Sequence, residues 1–106
     1  MNNSDGVIGI VSIPSTEIPA GGFVDIRPPA GMVYLLTIGV VSGTAGACIV
    51  SIRDATGGMD VFSAPAGPHN AGGFVTANHN SWIRILNVDS GTIASYAVSG
   101  IILKIA

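Results

Sequence analysis

The stretch Met32-Val-Tyr-Leu-Leu-Thr-Ile-Gly-Val-Val41 is the longest continuous apolar run of strand character in the chain. Apolar residues occupy both of its alternating faces, which is typical of a strand that is covered on two sides. Its β-branched and aromatic residues also favour an extended backbone. This run therefore predicts a central β-strand.

The composition of the whole chain agrees with a β-rich fold. The 106 residues include 14 Ile, 11 Val and 6 Thr, whereas Glu and Lys occur once each and Gln is absent. Helix-favouring residues are therefore scarce. Charged residues make up 9% of the chain, against about 25% in an average soluble protein. Disorder is not expected, because disordered chains are rich in charge and poor in Ile and Val.

Outward from residues 32–41, apolar runs alternate with turns of Gly, Pro, Asn and Ser at intervals of about ten residues. The predicted strands are residues 7–13, a short piece at 16–19, then 23–27, 32–41, 47–53, 59–62, 74–77, 81–87 and 92–105. Residues 28–31 are a predicted tight turn, residues 54–58 a hairpin connection, and residues 63–73 an irregular stretch. Gly100 marks a predicted bulge or bend in the last strand.

Eight or nine evenly spaced strands without a helix predict an all-β fold, an antiparallel jelly-roll or Greek-key sandwich. The jelly roll is the first choice because it uses eight strands, and an immunoglobulin-like sandwich is the alternative. Residues 1–6 are predicted to form an N-terminal arm, and residues 7–106 a single β-sandwich domain.

Charge and hydropathy argue against two classes of partner. The net charge is −2, and the four basic residues lie singly along the chain, so nucleic-acid binding is not expected. Residues 28–52 carry no charge and are long enough to cross a bilayer. Because the turn-forming residues 42–46 interrupt them, we expect two strands and no membrane contact.

No catalytic, cofactor-binding or metal site is predicted, so we expect a protein that is not an enzyme and needs no cofactor. A cupin-like metal site would need histidines close together on a strand, whereas the two histidines are ten residues apart in turn-like segments and are interpreted as surface residues. The residues weighed for such a site are His69, His79, Asp54, Asp60 and Asp89. Cys48 is the only cysteine and lies in an apolar run, which predicts a buried small side chain.

Two small groups of residues could serve binding instead. Asp25 and Arg27 are two residues apart on one strand face, which suggests a same-face ion pair with a structural or interfacial role. Trp82 follows the polar residues 78–80, an arrangement that resembles a sugar platform. The alternative for Trp82 is packing at a core edge or a subunit contact.

The scarcity of charge predicts a protein that functions in an assembled state, because charge is the usual guard against association. The C-terminal strand supports this prediction. Ile101, Leu103 and Ile105 lie on one of its faces and Ile102 on the other, so both faces need cover. A fully central position in a larger sheet is the alternative explanation for this pattern.

Two segments resemble small structural proteins of tailed bacteriophages. One is Val24-Asp25-Ile26-Arg27-Pro28-Pro29-Ala30-Gly31 followed by a strand, and the other runs from Trp82-Ile83-Arg84-Ile85-Leu86-Asn87 through a Ser-Gly turn to Tyr96-Ala97-Val98-Ser99-Gly100. The resemblance spans residues 23–104 with an unmatched middle, where family members usually carry more charge.

The resemblance implies a virion protein made in the host cytoplasm, most plausibly a capsid decoration (cement) protein. It would form a homotrimer, bind the major capsid protein and stabilise the head lattice, with residues 1–5 as a contact arm. A tail, fibre or head-completion protein is the alternative within the virion, and a carbohydrate-binding module is the alternative outside it.

Overall fold

The predicted central strand lies in the middle of one of two antiparallel sheets that pack face to face. A computed structural model describes residues 7–71 and 74–104. Within these residues the secondary structure is all β, and nine strands are present. They are β1 Val7–Ile18, β2 Phe23–Ile26, β3 Met32–Ser42, β4 Cys48–Asp54, β5 Gly57–Ser63, β6 Gly67–Asn70, β7 Val75–Asn78, β8 Trp82–Asn87 and β9 Ala94–Lys104. The predicted N-terminal arm, residues 1–6, lies outside the described residues.

The first sheet, sheet A, has the order β1-β9-β3-β6, with β7 also paired to β3. The second, sheet B, has the order β2-β8-β4-β5. The chain forms one long folded hairpin through the pairs β1–β9, β2–β8, β3–β6/β7 and β4–β5. This hairpin is rolled into two sheets by the pairing of β3 with β9 and of β4 with β8. This arrangement is an antiparallel sandwich compatible with a jelly roll.

Inward-facing residues of both sheets form one hydrophobic core. On β3, Leu36, Ile38 and Val40 are almost fully buried, and they face the buried Ile83 and Ile85 of β8 across the sandwich. Burying apolar surface of this kind contributes about 25 cal/mol per Å². The period-2 alternation that predicted the strands therefore also decides which side of each strand enters the core.

Several predictions about single elements are confirmed. Residues 28–31 form a tight turn, in which the Met32 backbone N–H donates to the Pro29 carbonyl and Gly31 takes a positive φ of 87°. Residues 54–57 connect the β4–β5 hairpin. Cys48 is fully buried in the core, and this burial raises the pKa of its thiol.

Two predictions about strand limits are wrong. Residues 7–13 and 16–18 form one strand, because β1 is an edge strand where Pro14 breaks no central ladder. A bulge between Ile13 and Thr16 accommodates one extra residue of β1. The stretch predicted to be irregular contains β6, whose Pro68 likewise lies at a sheet edge.

Gly100 does not form the predicted bulge. It pairs in regular register with Leu36 on one side and Val11 on the other. A Cβ at this position would overlap the carbonyl oxygen of Leu35. Glycine is therefore needed because β9 and β3 approach each other closely here, and the irregularities lie in β1 instead.

Candidate functional site

The outer face of sheet B carries all three arginines of the chain. Register places Arg84 of β8 beside Asp25 of β2, and Arg53 of β4 beside Trp82 of β8. Arg27 follows the last residue of β2 on the same side. The arginines are far apart in the sequence, and the antiparallel pairing of β2, β8 and β4 brings them to one face. Their clustering could therefore not be predicted from the sequence.

Asp25 pairs with Arg84, so the predicted ion pair between Asp25 and Arg27 is wrong. The Arg84 Nε and Nη2 atoms donate to the two carboxylate oxygens of Asp25 at 2.7 and 2.9 Å. Directly opposed residues on neighbouring strands have closer side chains than residues two apart on one strand. Hydrogen bonding to Asp25 raises the pKa of Arg84, and its guanidinium also lies 3.9 Å from the centre of the Phe23 ring.

Arg27 covers the indole of Trp82 instead. Its guanidinium carbon lies 4.1 Å from the ring centre, and its Nε donates to the His79 carbonyl at 2.7 Å. The Trp82 Nε1 atom is buried and has no hydrogen-bond partner among the described residues. The Asn78 side-chain oxygen accepts the backbone N–H groups of Asn80 and Ser81. The residues considered as a sugar platform are thus occupied in shaping the β7–β8 turn and in holding the Arg27–Trp82 stack.

The outer face of sheet A has a different character, because Glu17 at its edge is its only charged residue within the described strands. At one end of this face two cross-strand rows of apolar side chains run over β1, β9 and β3. We call this end the apolar ridge. It consists of Val7, Ile10, Val33, Leu35, Ile101 and Leu103.

The apolar ridge is in contact with solvent. Ile10 is 74% exposed and Val7 is 57% exposed, and the other members are half-buried by their neighbours. Soluble monomers rarely leave such contiguous apolar groups uncovered. The prediction that the outer side of the C-terminal strand needs cover therefore applies to Ile101 and Leu103, while Ile105 lies outside the described residues.

Small side chains follow the ridge along the same face. Gly39 and Ala97 form the floor of a shallow depression of about 420 Å³, which is bordered by Val41, Asn70 and Ser95. A neighbouring depression of about 290 Å³ continues it toward the ridge and includes Ser12, Thr37 and Ser99. We call the two together the hollow. The face thus combines a raised apolar end with a recessed centre.

The residues weighed for a metal site are placed separately. His69 lies on β6 and not in a loop, is exposed, and has its Nε2 atom 3.2 Å from the Ala66 carbonyl oxygen. His79 lies in the β7–β8 turn with Nδ1 3.2 Å from the Pro28 carbonyl oxygen. Across residues 7–71 and 74–104, no three His, Cys, Asp or Glu side chains are grouped so that they could hold a metal ion.

The carboxylates of the loops make local hydrogen bonds. The Asp54 carboxylate accepts the Thr56 hydroxyl at 2.7 Å and its backbone N–H at 2.8 Å, which lowers the pKa of Asp54. The Asp89 carboxylate accepts the Gly91 backbone N–H at 2.9 Å and the Thr44 hydroxyl at 3.0 Å, and these bonds lower its pKa.

Asn87 is a structural residue that the sequence analysis did not identify. It is 1% exposed, and its side-chain nitrogen donates to the backbone carbonyls of Ile18, Pro19 and Thr92. Its oxygen accepts the Asp89 backbone N–H at 3.2 Å. This one amide links the end of β8 in sheet B to the segments after β1 and before β9 in sheet A. An Asn before a turn is common, so its sequence context gave no signal for this role.

Comparisons with known proteins add no relative. No model of a protein family matches the chain, and no curated protein matches it in sequence. In the described part of the chain, no helix has the length and apolar character needed to cross a membrane.

Proposed function

We propose that this chain is a non-enzymatic structural protein of a tailed-phage particle, a capsid decoration protein that acts as a homo-oligomer on the head lattice. The observation that carries the proposal is the outer face of sheet A. Its apolar ridge and near absence of charge suit a surface that is covered in the working state of the protein.

Two further features support a structural role. The strands are paired over most of their length into two sheets that share one core, which favours a rigid body able to bridge neighbouring capsid subunits. The assignment to a phage particle is supported by the resemblance of residues 24–31 and of the segments within 82–100 to phage structural proteins. The major capsid protein is accordingly the proposed partner.

The glycan-binding alternative has less support. A sugar platform needs an open aromatic face, and the Arg27 guanidinium covers one face of the Trp82 ring at 4.1 Å. Wild type and Trp82→Ala on a glycan array separate the two functions. Binding that is lost in the variant, whose fold is checked by circular dichroism, would favour the carbohydrate-binding module.

The direct test is binding to phage heads. Purified protein is mixed with expanded and with unexpanded capsids of the phage that encodes it, and the bound copies are counted by quantitative gel electrophoresis. Hundreds of copies on the expanded head are expected for a decoration protein. A handful of copies in the virion would identify a tail, fibre or head-completion protein, and no binding by a stable monomer would overturn the proposal.

A further inference from the structure

We propose that two copies of this chain associate through the outer faces of sheet A, with the apolar ridge of each copy seated in the hollow of the other. The inference deepens the oligomeric part of the proposed function, since it names the surface and the symmetry of the contact. The two-fold contact makes a dimer, in place of the homotrimer that the resemblance to phage proteins implies. It does not depend on the phage assignment.

The ridge and the hollow have the spacing that a two-fold contact requires. Leu35 of the ridge and Gly39 of the hollow are four residues apart on β3, which is about 13 Å along a strand. The cross-strand pair Thr37–Ser99 lies midway between them. In the proposed dimer, the outer faces of sheet A of the two copies face each other. The two-fold axis runs between these faces, perpendicular to the strands, and passes over the Thr37–Ser99 pair. This symmetry puts each Leu35 over the Gly39 of the other copy. The two-fold rotation therefore forms the same contact between ridge and hollow twice, as in the interfaces of most homodimers.

The polar groups at the proposed axis can be covered without loss of hydrogen bonds. The Thr37 hydroxyl donates to the Ser99 carbonyl at 3.2 Å, and the two hydroxyl oxygens are 2.9 Å apart, so the Ser99 hydroxyl can donate to Thr37. Both hydroxyl hydrogens are then used within the sheet. Covering this pair therefore leaves no unsatisfied donor, which would otherwise cost about 1–3 kcal/mol.

Charge and area also favour a second copy as the occupant. Glu17 at the edge is the one charge on this face among the described strands, so two copies meet without repulsion at its centre. The face is four strand positions wide, of which three are filled by β1, β9 and β3 with 11 or 12 residues each, and the fourth is shared by the four-residue strands β6 and β7. At about 4.8 Å between strands and about 3.3 Å per residue, it covers roughly 660 Å². A stable interface buries about 800 Å² per partner, so this single face is of the size that a dimer needs.

Two substitutions test the two halves of the contact. Ile10→Lys places a charge on the most exposed ridge residue, and Gly39→Val fills the hollow. A Cβ at Gly39 would meet only the Asn70 side-chain oxygen at 3.5 Å, and its φ is not positive, so the backbone of the isolated chain accepts a side chain at this position. Met59→Lys is the matched control, because Met59 is 67% exposed on β5 of sheet B.

The readout is the mass in solution by light scattering at micromolar concentration, with no capsid present. Wild type and Met59→Lys should have the mass of two chains, while Ile10→Lys and Gly39→Val should weaken association by at least about tenfold. Both weakened variants should keep the wild-type circular dichroism spectrum. A wild-type monomer, a trimer, or equal weakening by Met59→Lys would overturn the inference, and none of these results bears on capsid binding by itself.

Cross-linking tests the position of the axis. With a short bismaleimide, Ser99→Cys should link to the Ser99→Cys of the other copy, because the residue meets its own counterpart there. Ser63→Cys on β5 of sheet B is the control and should stay unlinked, and Cys48 is buried in both variants. Equal cross-linking at the two positions would overturn the two-fold contact.

Discussion

The two outer faces of the sandwich differ in how their exposed apolar side chains are covered. On sheet B, exposed aromatic rings are covered by the chain's own arginines, as Arg27 covers Trp82 and Arg84 covers Phe23. On sheet A, the apolar ridge has no such cover, and the one charge of the face, Glu17, lies at the other end of β1. The long stems of arginine can shield apolar surface while their charged heads stay in water. The aromatic rings of sheet B are thus covered by charged side chains of the same chain, whereas the apolar ridge of sheet A would be covered only in the proposed contact with a second copy.

The largest effect is expected where the strands of sheet A approach each other most closely. Gly100→Ala puts a methyl group against the Leu35 carbonyl, and the strands must separate to accept it. We expect the free energy of unfolding to fall by about 2–3 kcal/mol, as measured by urea denaturation.

Gly43→Ala is the control for this prediction. It makes the same chemical change just after β3, outside the hollow, at a position with room for a Cβ and without a positive φ. Its stability should equal or slightly exceed that of the wild type, because alanine loses less conformational freedom than glycine on folding. If the two variants lose equal stability, the close approach at Gly100 is not what makes glycine necessary.

A smaller effect is expected on sheet B, from the pair Asp25–Arg84. Both side chains are partly exposed, at 31% and 19%, and pairs of this kind contribute about 0.5–1 kcal/mol. A double-mutant cycle with Asp25→Ala and Arg84→Ala measures that coupling. The coupling should shrink at high salt, because salt screens charges near the surface.

The matching measurement on sheet A sharpens the contrast between the faces. A cycle between Ile10 and Ile101, which are cross-strand neighbours, should give a coupling that salt does not reduce. A coupling between Asp25 and Arg84 that is equally insensitive to salt would mean that the face of sheet B is held by packing and not by charge.

The sequence predicted strand positions well, because an alternation of period 2 is a local property. It could not predict partners, because pairing is decided by the whole chain. Asp25 illustrates the difference, since its neighbour in sequence, Arg27, is not its partner, whereas Arg84 is. The strand limits predicted at Pro14 and Pro68 are also wrong. Proline removes a hydrogen-bond donor, and this loss destabilises a central strand but is tolerated in a strand at the edge of a sheet.

The candidate surface could be predicted only in part. The need for cover at residues 101–103 is visible in the sequence, because apolar residues occupy both faces of that segment. The hollow is not visible there, because Gly39 and Ala97 are far apart in the chain and become neighbours only when β3 pairs with β9. The same long-range pairing explains why the clustering of arginines on sheet B could not be foreseen.

Among these changes, acidification is expected to have the smallest effect on the stability of the fold. The effect arises from carboxylates in loops outside the two faces. Hydrogen bonds lower the pKa of Asp89, first from the Gly91 backbone N–H and then from the Thr44 hydroxyl. The folded state therefore binds this proton less readily than the unfolded chain. The resulting stability is present above the unfolded pKa and is lost as the pH falls through the lower, folded pKa, so the melting temperature should drop below about pH 4.

Thr44→Val removes one of these bonds and should make the loss on acidification smaller than in the wild type, in melting temperatures compared at pH 7 and pH 3. Thr56→Val does the same for Asp54 in the β4–β5 hairpin. The Thr44–Asp89 bond joins the β3–β4 and β8–β9 loops, where the chain crosses between the sheets, while the Thr56–Asp54 bond is local. Thr44→Val should therefore also lower the melting temperature at pH 7 more than Thr56→Val does. The opposite order would mean that the link between the sheets does not depend on Asp89.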